Sequence, residues 1–373
     1  MTVSQTLKQF SPATVADERW ITARRDGALV SFVLNRPKAL NAFDDDMRGV
    51  IAAEIPKIAR DPDIYIVAFS SASPKAFCAG GDVRALSLAS RNDLAGVKAR
   101  FGREYQMNWL LDCFSKPAVS LIDGICMGSG AGLSLFNTHR VAGEQYKLAM
   151  PETAIGLFPD VGVAHVFAQL PWPMGLYLGL TGRTIERADA LWLGLATHCI
   201  SARRFPEIES ALADATPVDP LLDHLHETQE IGPLQKDWAL IRDYFSPDTL
   251  MAIITKLERA TGVGAEWAGQ TLNNLRARSP MSLAVTDRHI RAARKLDLRQ
   301  TLLQDFRLAC RCLDASDFHE GVRAVLIDKD GKPEWNPATL EQVDEAVVES
   351  YFQSLGDMEL TLATRDEMQA MRV

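Results

Sequence analysis

The chain has 373 residues, 40 of them Lys or Arg and 48 Asp or Glu, for a formal charge of −8; 47% are hydrophobic and 24% charged. This composition supports one or two globular units with a sizeable core and excludes disorder as the main state. The chain is acidic and has no charge-free run of about 18 apolar residues, so neither nucleic acid nor a membrane is an expected partner.

The start, MTVSQTLKQFSPATVADERW, has neither the basic-then-apolar pattern of a secretory leader nor the arginine content of a transit peptide. Residues 20–34 read as a hairpin, with ITARR and ALVSFVL split by the tight-turn pair Asp26-Gly27. The loop NRPKALNAF leads to a helix predicted over residues 44–58. Asp44, Asp45 and Asp46 suit its first turn, and Met47, Val50, Ile51, Ile55 and Ile58 supply an apolar face. The apolar run IYIVAFS, residues 64–70, reads as a buried strand. From Pro117, PAVSLIDGICMG is strand then Gly-rich turn, GAGLSLFNTHR continues as helix, and YKLAMPE is a further short strand. Ala188, Leu191, Trp192 and Leu195 fall at helical spacing and predict a helix over residues 184–197. Short strands alternating with helices imply an α/β core. After Ser201 strand signals thin out, and Pro206, Pro217 and Pro220 punctuate the chain. From Asp237 helical patterns prevail, and Ser279-Pro280 opens a helix to about Leu296, as a cap followed by Pro at the first position. A boundary is placed near residues 202–215.

The six cysteines (Cys78, Cys113, Cys126, Cys199, Cys310, Cys312) are dispersed and read as reduced core thiols rather than a disulfide framework. Cys310 and Cys312 form CxC without a second pair, and His139, His165, His198 and His319 have no metal spacing, so no metal is expected. His165, just after the Asp160 turn, has the best claim among them to line a pocket. With no leader and no span, these features predict a cytoplasmic protein.

Two Gly-rich turns, KAFCAGGDVRAL at residues 75–86 and GICMGSGAGLSLF at residues 124–136, each follow a predicted strand and precede a predicted helix. Two such turns can aim backbone N–H groups at one oxygen and form an oxyanion hole. Close packing alone is another use for them. GxxxxGK[ST] is missing, and GSGAG matches a dinucleotide fingerprint only loosely. In the apolar stretch AMPETAIGLFPDVGVAHV, Glu152 sits at a strand end and Asp160 in a Pro-Asp-Val-Gly turn. Buried carboxyls are costly unless paired or used, and burial raises their pKa toward values suited to proton transfer. Alternatively, Glu152 caps a backbone amide and Asp160 forms a turn.

FCAGGD, KPAVSLIDGICMGSGAGLSL and MPETAIGLFPDVG together resemble the crotonase (enoyl-CoA hydratase/isomerase) superfamily. With DFHEGVRAVLIDKDGKPEWNPATL, residues 317–340, they look most like its 3-hydroxyisobutyryl-CoA hydrolase branch. The resemblance spans roughly residues 22–340. It implies an α/β fold, the crotonase-like (ClpP/crotonase) spiral of repeated ββα units with a mainly helical C-terminal region. The spiral core with its CoA site is expected over residues 15–205, and the helical region packing on it over 206–355.

The resemblance also assigns roles. The oxyanion-hole amides are those of Gly81 and Ser129, the latter standing where many relatives have glycine, so that its side chain narrows the pocket or adds a polar contact. Glu152 matches the catalytic glutamate, Asp160 the acid of the hydrolase branch, and Glu104, in FGREY, a substrate-pocket glutamate. The second glutamate of the hydratases is replaced here by Gly132, which disfavours hydration and favours thioester cleavage. The implied reaction is hydrolysis of a short 3-hydroxyacyl-CoA, 3-hydroxyisobutyryl-CoA above all, as in valine catabolism. An enoyl-CoA hydratase or isomerase and a non-catalytic acyl-CoA-binding protein are the competing readings. CoA is expected along Lys38, Ala39, Leu40, Ala79, Gly80, Gly81 and Asp82, with Lys38 or Arg84 beside a phosphate. No cofactor is implied, since coenzyme A is part of the substrate. The superfamily often forms trimers and hexamers, which allows a homo-oligomer, but the helical extension can occupy that surface, so the oligomeric state is left open. FHEGVRAVLIDKD reads as a structural segment folding the helical part over the core.

Overall fold

A computed structural model describes residues 20–373; the expected start of the core at residue 15 lies outside them. The hairpin forms as read, from β1 (Ile21–Asp26) and antiparallel β2 (Leu29–Leu34). The strand sequence then falls into three pairs: β3 (Ile66–Ser71) with β4 (Ala76–Cys78), β5 (Ala118–Ile122) with β6 (Ile125–Met127), and β7 (His139–Ala142) with β8 (Lys147–Ala149). The first member of each pair joins one sheet, ordered β1-β2-β3-β5-β7 and closed by β10 (His198–Cys199). The second member joins another, ordered β4-β6-β8 and closed by β9 (Ile185–Glu186). Repetition of this unit, with parallel pairing inside each sheet, winds the chain into a spiral.

Both faces of the larger sheet are buried, which explains the unbroken apolar run of β3. Val67 and Phe69 point into the main core, whereas Ile66 and Ala68 point to a second cluster on the other face. Phe32 and Phe69 stack in the main core with ring centroids 5.0 Å apart, both fully buried. The second cluster is covered by Ile208 and Leu212 of the helix Phe205–Ala213 and by Leu222 and Leu225 of the helix Val218–Leu225. Helices from beyond residue 202 therefore complete the burial of the sheet.

The helix predicted over residues 44–58 runs Asp45–Arg60; Asp44 caps it by accepting the Met47 amide, and Met47, Ile51, Ile55 and Ile58 are buried as expected. The helix predicted over residues 184–197 is shorter, Arg187–Trp192. Ile185 and Glu186 pair instead with β8, and Gly194 (φ 71°) turns the chain away. The helix after the second Gly-rich turn is also short, Ser129–Ser134. Among the described residues, no helix is long and apolar enough to cross a membrane. All six cysteines are buried and free.

Candidate active site

The C-terminal ends of three adjacent parallel strands deliver the main candidates to one place. Ala79, Gly80 and Gly81 follow β4, Gly128 and Ser129 follow β6, and Pro151 and Glu152 follow β8. Clefts at the carboxyl ends of parallel strands are common ligand sites. These residues line a cavity of about 240 Å³ together with Glu104, Asp160, Val325 and Leu326. That is small for a ligand pocket and matches a short acyl group better than a whole CoA. A groove of about 500 Å³ lies between the helices Asp45–Arg60 and Leu94–Cys113 and the chain end. It holds none of the three carboxyls, so their convergence, not size, marks the site.

The two Gly-rich turns face each other. Phe43 donates its amide to Gly80 O and accepts from the Asp82 amide, a parallel bridge that leaves the intervening Gly81 N–H turned away from Phe43. Ser129 is the first residue of its helix, where an amide has no intrahelical partner. The preceding Gly128 has φ 47°, and a Cβ there would stand 3.2 Å from Glu152 Oε1 and 3.4 Å from Gly80 Cα. A side chain at residue 128 would thus press on both the first turn and the glutamate. The Ser129 hydroxyl lies beside Gly81, 3.3 Å from where its Cβ would be.

Three carboxyls meet in this small volume, each less than a tenth exposed. Burial pushes the Glu152 carboxyl up to about 8, and its Oε2 has no hydrogen-bond partner. Asp160 is pushed well above the usual carboxylate range, by burial first and then by the charges of Glu152, Glu104 and Asp305. Tyr105 donates its hydroxyl to Asp160 Oδ2 at 2.8 Å. Glu104 Oε2 pairs with Arg48 at 3.1 Å, while its Oε1 is buried without a partner. Unpartnered buried oxygens beside a cavity are positioned to meet a ligand or water.

The CoA candidates divide. Ala79, Gly80 and Gly81 line the cavity, whereas Lys38, Ala39, Leu40 and Asp82 do not. Leu40 adjoins it, since its carbonyl accepts the Ala79 amide at 3.0 Å. Buried Asn41 tethers that loop by donating to Ser71 Oγ and Phe77 O. Asp82 is engaged by Arg36 at 3.1 Å and caps the helix Val83–Ser90. Lys38 and Arg84 are exposed. His165 faces the Leu296 carbonyl and is not among the lining residues. No metal-holding group of His, Cys, Asp and Glu occurs among the described residues.

Sequence reasoning misses Arg48, Tyr105, Val325 and Leu326. Arg48 leaves a signal, a charged residue on the helix face that Ile51 and Ile55 bury; Tyr105 leaves none, because it meets Asp160 from 55 residues away. The FHEGVRAVLIDKD segment does more than fold back on the core. Its residues Arg323–Ile327 form a π-helical turn that brings Val325 and Leu326 to the cavity, and Arg323 ties it down through Glu320, Asp328 and Asp330.

At residue 132, where a hydratase-type glutamate would stand, the space is filled. A Cβ there would lie 2.7 Å from Asn108 Nδ2 and 2.8 Å from Val161 Cβ, and Asn108 is fully buried. Gly132→Glu is therefore expected to add no hydration of crotonyl-CoA and to destabilise the fold by about 1–3 kcal/mol or more, an overpacking penalty. Enoyl absorbance and thermal melting check the two halves of that expectation.

A spiral of paired strands, with acidic groups and two glycine-rich turns at the strand ends, defines an acyl-CoA enzyme of the crotonase type. The sequence model of the enoyl-CoA hydratase/isomerase family matches residues 29–352, and the chain belongs to that family. It is 39% identical over 340 residues to "3-hydroxyisobutyryl-CoA hydrolase, mitochondrial" of Xenopus tropicalis, covering 88% of this chain and 87% of that one. To the Homo sapiens protein of the same name it is 36% identical over 369 residues, covering 96% and 94%. Among solved structures it resembles a carnitinyl-CoA dehydratase from Mycobacterium thermoresistibile, with 34% identity and a TM-score of 0.87 over 92% of this chain and 99% of that one. An enoyl-CoA hydratase from Rhodobacter sphaeroides gives 33% and 0.86 over 92% and 100%.

These relatives correct the expected compartment: the hydrolases named are mitochondrial, not cytoplasmic. Buried thiols and the lack of an apolar span are shared by soluble proteins on either side of an organelle membrane, so they do not specify a compartment.

Proposed function

We propose that this protein hydrolyses short 3-hydroxyacyl-CoA thioesters, with 3-hydroxyisobutyryl-CoA as the leading substrate, releasing the hydroxy acid and CoA in valine catabolism. The observation that carries the reading is the meeting of Glu152 and Asp160 in one small cavity with the facing turns at Gly81 and Ser129. The relatives named as hydrolases support the same chemistry.

In this reading the thioester oxygen lies between the Gly81 and Ser129 amides. They stabilise it as the carbonyl carbon becomes tetrahedral, and each donor of this kind is worth about 2.7–4 kcal/mol. Glu152 either attacks that carbon to give a mixed anhydride or takes a proton from an attacking water. The C–S bond breaks, and the CoA sulphur leaves as thiolate or takes a proton; in the covalent route a water then cleaves the anhydride, releasing the hydroxy acid and restoring the Glu152 carboxylate. Asp160, fixed by Tyr105, receives the 3-hydroxyl, a task that Glu104 shares. Ala79 and Gly80 flank the path by which pantetheine enters, and the neighbouring Lys38–Leu40 loop and Asp82 carry the rest of CoA. Val325 and Leu326 cover the acyl end and limit water.

The solved relatives named hydratase and dehydratase make C=C chemistry the alternative. A free-thiol assay over acyl-CoAs with and without the 3-hydroxyl decides between them. Thiol release that favours the hydroxylated substrates is expected. Loss of the crotonyl-CoA enoyl absorbance without thiol release would overturn the reading. Because Glu152 must be ionised to act and its carboxyl sits at about 8, kcat/KM is expected to rise with pH through that value and to level off above it.

A further inference from the structure

The most completely buried ionisable pair in the described structure lies outside the cavity. His289, on the helix Pro280–Ala293, and Asp305, on the helix Leu298–Asp314, both have fully buried side chains, with Nε2 and Oδ1 2.6 Å apart. Gln304 meets the other imidazole nitrogen at 2.7 Å, and Phe158 presents an edge to the ring. Asp305 Oδ2 accepts the Gly162 amide at 2.7 Å, across 143 residues of sequence.

Gly162 belongs to the turn that carries Asp160. The Val163 amide donates to Asp160 O at 3.0 Å, and between them Val161 has φ 53° and Gly162 φ 77°. A β-branched residue in the left-handed region is a steric outlier, and such conformations persist only where the surroundings over-determine them. Asp305 supplies that constraint at the backbone, while Tyr105, on the helix packed beside that of Asp305, holds the side chain of Asp160. A buried carboxylate–imidazole pair is weak evidence for stability, since apolar residues of similar volume often serve as well. Here its second oxygen is spent on one amide of the active-site turn.

We infer that Asp305, braced by His289 and Gln304, is a positioning residue that pins the Gly162 amide and thereby aims the Asp160 carboxyl into the acyl cavity. This rests on the hydrolase reading. It gives two helices of the C-terminal region a direct part in selecting the 3-hydroxyl.

The test is the ratio of kcat/KM for 3-hydroxyisobutyryl-CoA to that for isobutyryl-CoA, measured on the full chain. Asp305→Ala is expected to lower kcat/KM for the hydroxylated substrate about 10²-fold, as small displacements of reacting groups do. It is also expected to lower the ratio at least about tenfold, because the hydroxyl loses its aligned partner. Asp305→Asn keeps an oxygen for the Gly162 amide, and its N–H meets His289 Nε2 once the ring proton moves to Nδ1 and the Gln304 amide turns its oxygen toward it, so its ratio is expected to stay within about threefold of wild type. The double variant His289→Leu, Asp305→Leu severs the same contact without stranding a buried charge and guards against misfolding of Asp305→Ala. It is expected to show the same fall in the ratio. A purely structural role would reduce the active fraction and scale both substrates alike. A wild-type ratio in either severed variant would therefore overturn this inference alone. A wild-type protein that released thiol from neither substrate would overturn the hydrolase reading, and this inference with it.

Discussion

Replacing Glu152 by Gln is expected to abolish thiol release while making the protein more stable than wild type at pH 8. The first effect follows from its proposed role: glutamine is neither a nucleophile nor a base, and losing a positioned base costs about 10²–10⁴-fold, more if the carboxylate attacks directly. The second follows from linkage. The Glu152 carboxyl is held at about 8 in the fold against an ordinary value of 4.5, so the folded state binds more protons than the unfolded state between those values. Its contribution to stability is whole below pH 4.5, falls as pH rises from there, and is lost above about 8. Glutamine carries no such slope. Thermal melts of wild type and variant should therefore diverge from pH 5 to pH 8, while the free-thiol assay separates lost chemistry from a lost fold. A variant that kept its activity would remove Glu152 from the mechanism.

Removing the Asp160 side chain is expected to have the next largest effect, and its character differs. Asp160→Ala should lower kcat/KM for 3-hydroxyisobutyryl-CoA by about 10²–10³-fold, and for isobutyryl-CoA far less, because a site built around a hydroxyl loses discrimination when its partner is removed. It also strands the buried Tyr105 hydroxyl, which now donates to Asp160 Oδ2 at 2.8 Å, so a cost of about 1–3 kcal/mol in stability is expected. Asp160→Asn should retain much more activity. Burial and three neighbouring carboxyls hold Asp160 well above the usual carboxylate range, which favours the protonated acid as its working form. An amide copies that form, with an oxygen for Tyr105 and an N–H for the substrate. Equal losses in the two variants would mean that the ionised form is the one at work.

How much of this is legible in the sequence depends on the range of the contacts involved. The helix Asp45–Arg60 can be read because its cap, its acidic first turn and its apolar stripe are local features. The run of β3 is legible as a strand because both of its faces are covered, though not by what. The helix predicted over residues 184–197 is too long because residues 185 and 186 are claimed by a strand some 37 residues earlier, β8. Motifs bring Glu152, Asp160, Gly81, Ser129 and Glu104 to notice, since each sits in a segment with a recognisable pattern. Arg48 shows only as a charge on an apolar helix face, Tyr105 and Leu326 lie in patterned segments that assign them no role, and Asp305 sits in ordinary helical sequence; the packing of helices against the spiral brings them to the acids, the lining or the turn of the site.

The arrangement of β4, β6 and β8 side by side bears on how such a site can change its reaction. Neighbouring strands are about 4.8 Å apart because peptide groups bond at a fixed length. The spacing between the proposed amide donors and the acid is thus inherited from the main chain rather than from any choice of residue. A loop hung from one strand can be lengthened or rewritten, as between Glu152 and Asp160, without altering the gauge set by the other two. Divergence within such a scaffold is modular: the electrophile's cradle stays the same while the proton-handling groups around it are exchanged.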